Sequence, residues 1–369
     1  MIIAIDLSWV KPKKCGGGEF YIRNLLDGFM KLEDKNEYIL LLAKDNHETF
    51  NKYFEDSRFI KKICNVNSSN ANARILWQNF KMGSILKKEK VDLCFEPIYS
   101  KPIINPWNIK YFTTIHDLQM LHYPQYFGKF KRKWLNFCMK NAVKTSKKII
   151  TISNYVKEDI KKHYNVKEEK IKVIYNAVVM KEEKYEFSTL EKKFNIEKDN
   201  YYYTIAQILP HKNLDTLIKV FKEIKEKSIP LPKKLLISGI NGGATEKINS
   251  LIKNYKLQDC VFLTGFVEDE ERNTLIKNCK AFLFSSIFEG FGMPPIEAML
   301  LGAVVITSKE TSLMEVTENK AVYIDNPFDK NEWIKKMKQE ENREKKRHYF
   351  DKYDLKNVAR EYLKCFKNE

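Results

Sequence analysis

The chain has 369 residues, 43% of them hydrophobic and 31% charged, which is material for two globular cores and excludes a mainly disordered chain. Its formal charge of +17 is uneven: residues 1–185 hold 34 basic and 20 acidic side chains, a balance of +14, whereas residues 186–369 hold 31 and 28, a balance of +3. No apolar run nears the ~20 residues of a bilayer span, the amino terminus lacks a basic segment with a small-residue cleavage site, and seven scattered cysteines without a C-x-x-C pair argue against a disulfide or zinc framework and fit a reducing cytosol.

Both halves open alike. Residues 2–6 are a short apolar run, followed by a loop with Gly16, Gly17 and Gly18, and then Ile22, Leu25, Leu26 and Phe29 recur at helical spacing. Further strands are expected near 38–43, 91–95, 111–115 and 148–152. Residues 129–148 carry eight basic side chains and no acid, interleaved with Phe130, Trp134 and Phe137. Such a helix either lies on an anionic lipid surface or turns its aromatics to the core and its lysines to water; nucleic acid is not expected, because no nucleic-acid motif accompanies the charge. The polar stretch 180–200 reads as an interdomain link.

The second half starts with an apolar run over 201–208, the loop Pro210-His211-Lys212-Asn213, and a helical stripe of Leu214, Leu217, Ile218 and Phe221. The Tyr201-Tyr202-Tyr203 run is expected to pack within a strand. Strands follow near 235–238, 261–263, 281–285, 303–307 and 321–324. Nearly unbroken apolar runs alternating with helices indicate parallel strands covered on both faces. The expected architecture is therefore α/β with two facing Rossmann-like domains. These are a first domain over 1–185, with a final helix at about 351–369 free to pack back on it, and a second over 186–350.

The sharpest motif spans 285–299. Gly290 and Gly292 allow close backbone approach, Pro294 and Pro295 suit a helix start, and Glu289 and Glu297 stand eight residues apart. A helix N-terminus favours phosphate, and flanking carboxylates accept from hydroxyls. A ligand with phosphate in the middle and hydroxyls at both ends fits this pattern, and a nucleotide sugar is one.

This segment resembles the E-x7-E motif of retaining glycosyltransferase family 4, which has the GT-B fold. Residues 112–118, with Pro124 and Phe127 after them, are similar to that family's His loop. Residues 149–154 and 173–176 resemble its domain-end pattern, Pro210–Asn213 its diphosphate-binding Lys loop, and 303–308 with 312–316 the strand and loop after the E-x7-E helix. The resemblance implies a hexosyl transfer from a nucleotide-sugar donor, GDP-mannose-like or another nucleoside-diphosphate sugar, to a growing surface glycan, lipid-linked or not. It leans towards mannosyl- and rhamnosyltransferase-like members.

It also implies roles. Glu289 would contact the donor sugar and the reacting centre, and His116 would line the catalytic side. Glu297 would take the ribose hydroxyls. Lys212, Asn213 and the loop of Gly290, Phe291 and Gly292 would hold the donor and its diphosphate, and Gly16, Gly17 and Gly18 would close over it. Gln207 stands where members commonly have Arg, so Lys212, the helix dipole and His211 would supply the positive charge. Ala177 stands where many have Gly. No cofactor and no metal are expected. His116-Asp117 is also the pair of metal phosphohydrolases, but the further ligands that chemistry needs are not found, and His122 reads as a loop or core residue. The implied location is cytoplasmic, with a peripheral place at the inner face of the cell membrane open to it. A non-catalytic nucleotide- or polyanion-binding protein on the same fold stays as the alternative, as does an epimerase; a phosphorylase lacks its pyridoxal-lysine context.

Overall fold

A computed structural model describes residues 1–11, 16–180 and 185–367. Cys15, residues 181–184 of the polar stretch and residues 368–369 lie outside the described residues. The chain divides into two compact units, Met1–Val178 with Asp351–Glu369, and Val179–Phe350. No helix among the described residues is long and apolar enough to cross a membrane.

The first unit is built on β1 (Ile2–Asp6), β2 (Glu37–Leu42), β3 (Phe59–Ile63), β4 (Leu93–Glu96), β5 (Tyr111–Ile115), β6 (Lys148–Thr151) and β7 (Ile171–Val173), in the order β3-β2-β1-β4-β5-β6-β7. The second is built on β8 (Tyr202–Ile205), β9 (Leu235–Ser238), β10 (Val261–Gly265), β11 (Ala281–Phe284), β12 (Val305–Ser308) and β13 (Val322–Ile324), in the order β10-β9-β8-β11-β12-β13. The ladders among the described residues are parallel, with β1 flanked by β2 and β4, and β8 by β9 and β11. Strand order therefore reverses beside β1 and beside β8. In a doubly wound sheet the crevice at such a reversal, at the strands' carboxyl ends, receives the ligand.

Two strands depart from the sequence reading. β3 and β7 were not expected, and they are the two edges of the first sheet. β3 sends Ile60, Lys61 and Ile63 to solvent and β7 has three residues, so neither shows an unbroken apolar run. The polar stretch 180–200 is also more than a link. It contains the helix Phe187–Phe194, which buries Leu190, stacks Phe187 on Tyr201 and pairs Lys193 with Glu271 in the second unit. The Tyr201–Tyr203 side chains are all buried, and the Tyr201 and Tyr203 hydroxyls donate to Leu275 O and Ser238 Oγ at 2.7 Å each.

The helix Leu355–Lys367 buries Leu355, Val358, Ala359, Tyr362, Leu363 and Phe366 in the core of the first unit, against the helix Gly17–Met30. Gly28 permits this close approach. A Cβ there would lie 2.5 Å from Leu355 O and 3.0 Å from Ala359 Cβ. Gly28→Ala is expected to cost about 1–3 kcal/mol by overpacking, more than the ~1 kcal/mol that alanine gains in a helix. Urea unfolding should show a lower midpoint at unchanged slope, and a variant more stable than the parent would contradict this packing account.

Candidate active site

In the second unit β8 runs into the loop 206–209 and a single 3-10 turn, Pro210–Lys212, before the helix Leu214–Glu226. The loop lies hard against the backbone that follows β9. A Cβ at Gly239 would fall 2.0 Å from Ala206 O, and one at Gly242 would fall 2.5 Å from Ile208 O. Neither glycine was singled out from sequence, yet both are needed to seat the lysine loop.

β11 runs into the loop 285–292, which turns at Gly292 (φ +88°) into the helix Met293–Leu300. A side chain at Gly292 would meet Leu313 Cδ2 at 2.7 Å and hold a left-handed backbone, so glycine is required. Pro294 and Pro295 lie in the first turn, where a missing N–H breaks no helical bond.

Hydroxyls clamp this loop from both sides. Ser285 Oγ donates to Lys212 O at 2.7 Å and Ile287 N to His211 O at 2.9 Å, tying it to the lysine loop. Ser308 Oγ donates to Ser286 O at 2.6 Å. Thr311 Oγ1 accepts from Glu289 N at 3.0 Å, and Ser312 Oγ donates to Glu289 O and Phe291 O at 3.0 Å each. These serines and Thr311 were missed as positioning residues, since isolated hydroxyls carry no distinctive spacing.

The outcome is that Lys212 Nζ and Glu289 Oε1 meet at 2.6 Å, both side chains half-buried. Residues 77 positions apart are brought together because β8 and β11 are neighbours. Gly290 and Phe291 are buried in the same loop. Glu297, one turn into the helix, is half-buried; burial raises its carboxyl above the ordinary range, opposed by the Arg272 guanidinium and assisted by Asp269. Arg272 comes from the preceding helix Asp269–Asn278, and nothing in the spacing of the motif signals it.

Other expected residues lie differently. Gln207 is exposed. Asn213 sits in a left-handed conformation (φ +52°) and is buried, its amide donating to Pro327 O at 2.8 Å and its Oδ1 accepting from Thr216 Oγ1 at 2.8 Å. The expected charge contribution of His211 is corrected. Burial, reinforced by Lys212, pushes its imidazole down to about 3, so it is neutral at pH 7 and adds no cation.

In the first unit His116 follows β5. Its Nε2 is 2.8 Å from Pro97 O. A carbonyl only accepts, so Nε2 carries the proton and the neutral ring presents its lone pair at Nδ1. Burial lowers the ring below its ordinary range, opposed by the Pro97 carbonyl and Asp117, which keeps it neutral at pH 7. The Tyr21 ring meets it edge-on at 4.7 Å. The Tyr21 hydroxyl bonds Thr114 Oγ1 at 2.9 Å and Tyr362 OH at 2.6 Å, so the helix Gly17–Met30, β5 and the carboxyl-terminal helix converge beneath His116. Asp117 accepts from Gln119 N at 2.8 Å, a turn-forming role. Gly16 (φ +53°) precedes the helix Gly17–Met30, and Gly17 and Gly18 form its first turn, Gly18 against the Trp9 ring.

The description "Glycosyltransferase Family 4" matches residues 15–182, and "Glycosyl transferases group 1" matches 186–357. The O-antigen chain mannosyltransferase RfbU of Salmonella typhimurium is 35% identical over 225 residues, 61% of this chain and 59% of that protein. The O-antigen chain mannosyltransferase B of Escherichia coli is 25% identical over 217 residues, 58% of this chain and 56% of that protein. The matched regions thus span less than two thirds of these relatives. Among solved structures, HepE of Anabaena in complex with UDP and glucose superposes with a TM-score of 0.74 at 16% identity over 100% of both chains. WaaG, a glycosyltransferase involved in lipopolysaccharide biosynthesis, gives 0.68 at 14% identity, again over 100% of both. At these identities the structural likeness is one of fold, GT-B, with a parallel sheet in each unit. The chain belongs to glycosyltransferase family 4, its group 1 transferase region following the family 4 region along the sequence.

Proposed function

We propose that this chain is a retaining mannosyltransferase that moves mannose from a nucleoside-diphosphate donor to a growing surface polysaccharide on a lipid-linked acceptor. The observation that carries the reading is the Lys212–Glu289 pair, held by the clamped loops after β8 and β11. The mannosyl donor is favoured by the O-antigen mannosyltransferases among the relatives.

In the proposed reaction the bond from the sugar's anomeric carbon to the diphosphate breaks, and the bond to the acceptor oxygen forms on the same face. The acceptor's proton passes to the departing diphosphate. Lys212 stabilises charge developing on that diphosphate, Glu289 orients the sugar and favours oxocarbenium character, and Glu297 accepts from the ribose hydroxyls. His116, neutral with its lone pair at Nδ1, is suited to accept a hydrogen bond from a sugar hydroxyl. No cofactor is invoked.

Incubation of the purified protein with a panel of nucleotide sugars tests the reading. Slow release of GDP from GDP-mannose, faster with a lipid-linked acceptor and above that from UDP-glucose, is the expected result. Binding without turnover of any donor would favour a non-catalytic nucleotide-binding protein instead.

A membrane-facing first unit belongs to the same proposal. In the helix Lys129–Thr145 the core face is Met139, Ala142 and Val143, whereas Phe130 is 90%, Trp134 39% and Phe137 47% exposed. The alternative in which these aromatics fill the core is therefore corrected, because the helix spends its later turns on burial and leaves the earlier aromatics in solvent beside Lys131, Arg132 and Lys133. The protein is expected to co-float with anionic but not neutral vesicles. Flotation should fade with salt as the Debye length shrinks from about 10 Å at 0.1 M to about 3 Å at 1 M. Reversing Lys131, Arg132 and Lys133 to Glu should reduce it. Absence of flotation at low salt, with turnover intact, would point to an acceptor met away from the bilayer.

A further inference from the structure

Away from the residues assigned to transfer, two helices of the first unit end on histidines that share one aspartate. The short helix Gln119–His122 ends on His122, and the helix Asn154–His163 ends on His163, one turn past Asp159. Asp159 is only 7% exposed, and both of its carboxylate oxygens meet imidazoles. His122 Nε2 lies 2.8 Å from Oδ2, and His163 Nδ1 lies 3.2 Å from Oδ1. The two rings stand edge to face with centroids 5.5 Å apart. One ligand atom from each of the three residues falls within 4.8 Å of the others.

We propose that His122, Asp159 and His163 form a binding site for a late first-row divalent cation, zinc being the best fit, which staples the segment after His116 to the helix Asn154–His163. Zinc bonds of about 2.0–2.2 Å place tetrahedral ligand atoms about 3.3–3.5 Å apart. The two spacings to Asp159, 2.8 and 3.2 Å, fall a few tenths of an ångström short of that value and no pair exceeds 4.8 Å, so the side chains must part slightly to admit the ion. Asp159 and His163 are four residues apart on one helix and therefore share a face. Two imidazoles and one carboxylate suit zinc, cobalt or nickel, whereas magnesium and calcium prefer all-oxygen shells.

Binding has an identifiable cost. His163 Nδ1 also lies 2.9 Å from Asp159 O, and the cation must displace that bond. Three protein ligands leave the remaining positions to water, and His163 lines an open, solvent-accessible cavity of about 630 Å³ whose lysines (Lys140, Lys144, Lys167 and Lys170) oppose a cation and weaken its binding. Affinity is accordingly expected in the micromolar range, short of a closed four-ligand site. His122 was expected to be a loop or core residue, and no metal site was expected. Its partner Asp159 is 37 residues away, so no local ligand spacing announces the cluster.

The test uses the full chain stripped of metal. Calorimetric titration with zinc chloride near neutral pH should give one site of micromolar affinity and a raised melting temperature, with no heat from magnesium chloride. His122→Ala and His163→Ala should each weaken zinc about tenfold or more. Wild-type protein loaded with cobalt(II) gives a reading that no variant's folding can spoil, namely a d–d spectrum of nitrogen and oxygen ligation without thiolate charge transfer. No binding at micromolar zinc, binding indifferent to both histidine variants, or a thiolate band in the cobalt spectrum would each overturn the proposal.

Discussion

Glu289→Gln is expected to lower kcat by about 10²–10³-fold, the size of effect seen when one charge-stabilising group is removed from an active site. The loop around it should persist, because Thr311 and Ser312 hold the Glu289 backbone N–H and carbonyl and do not depend on its side chain. Gln keeps the shape and one acceptor for Lys212, so what is lost is charge. With that charge gone, only a neutral amide oxygen competes with the donor diphosphate for Lys212, and the donor KM should stay flat or fall. A fall in kcat without a rise in KM marks a group acting in the transition state. Glu297→Gln is expected to do the reverse, raising the donor KM with kcat nearly unchanged, since ribose contacts exist in ground and transition states alike. The pH dependence follows from the raised carboxyl of Glu297. It protonates at higher pH than an ordinary carboxylate, and the protonated form loses acceptor capacity, so donor KM should rise as the medium turns weakly acidic. In Glu297→Gln that rise should vanish. Equal, mild losses in kcat at both positions would defeat this division of roles.

What the residues disclosed in advance, and what they withheld, follows from where each feature draws its energy. Strands buried on both faces, such as β2 over residues 38–42 and β11, are unbroken apolar runs and stand out in the sequence. β3, with Lys61 and Lys62, obeys the opposite demand, since an edge strand must discourage further pairing. The corner from Glu289 through Gly292 to Glu297 is local and is written in consecutive residues. The meeting of Lys212 with Glu289 is not local, for it arises from the adjacency of β8 and β11. The neutrality of His211 depends on burial by residues distant in sequence, which no local reading supplies. The helix Lys129–Thr145 carries apolar residues at both ends, and spacing alone does not tell which set meets the core; packing selects Met139, Ala142 and Val143.

Lys212→Ala is expected to lower kcat/KM by about 10²-fold, roughly 3 kcal/mol in the barrier. The size follows from how few neighbours can compensate. His211 is held neutral by its burial, and Gln207, where family members commonly have an arginine, is uncharged and exposed. The backbone of Lys212 is fixed independently of its side chain, by Leu209 O accepting from its N–H at 3.0 Å and by Ser285 Oγ donating to its carbonyl at 2.7 Å, so the loop should survive truncation. The Lys212→Ala/Glu289→Gln double variant should lose less than the product of the single losses, because residues in direct contact couple. Fully multiplicative losses would mean that the 2.6 Å pair has no part in the working enzyme. A chelator supplies the complementary arm. Among the described residues the trio with metal-ligating chemistry is His122, Asp159 and His163 in the first unit, and no such cluster accompanies Lys212 and Glu289. Chelation should therefore lower the melting temperature by emptying the histidine site while turnover at low temperature continues, the diphosphate being neutralised by Lys212. Loss of turnover on chelation, restored by manganese and insensitive to His122→Ala, would instead place a divalent cation on the diphosphate and reduce Lys212 to an auxiliary charge.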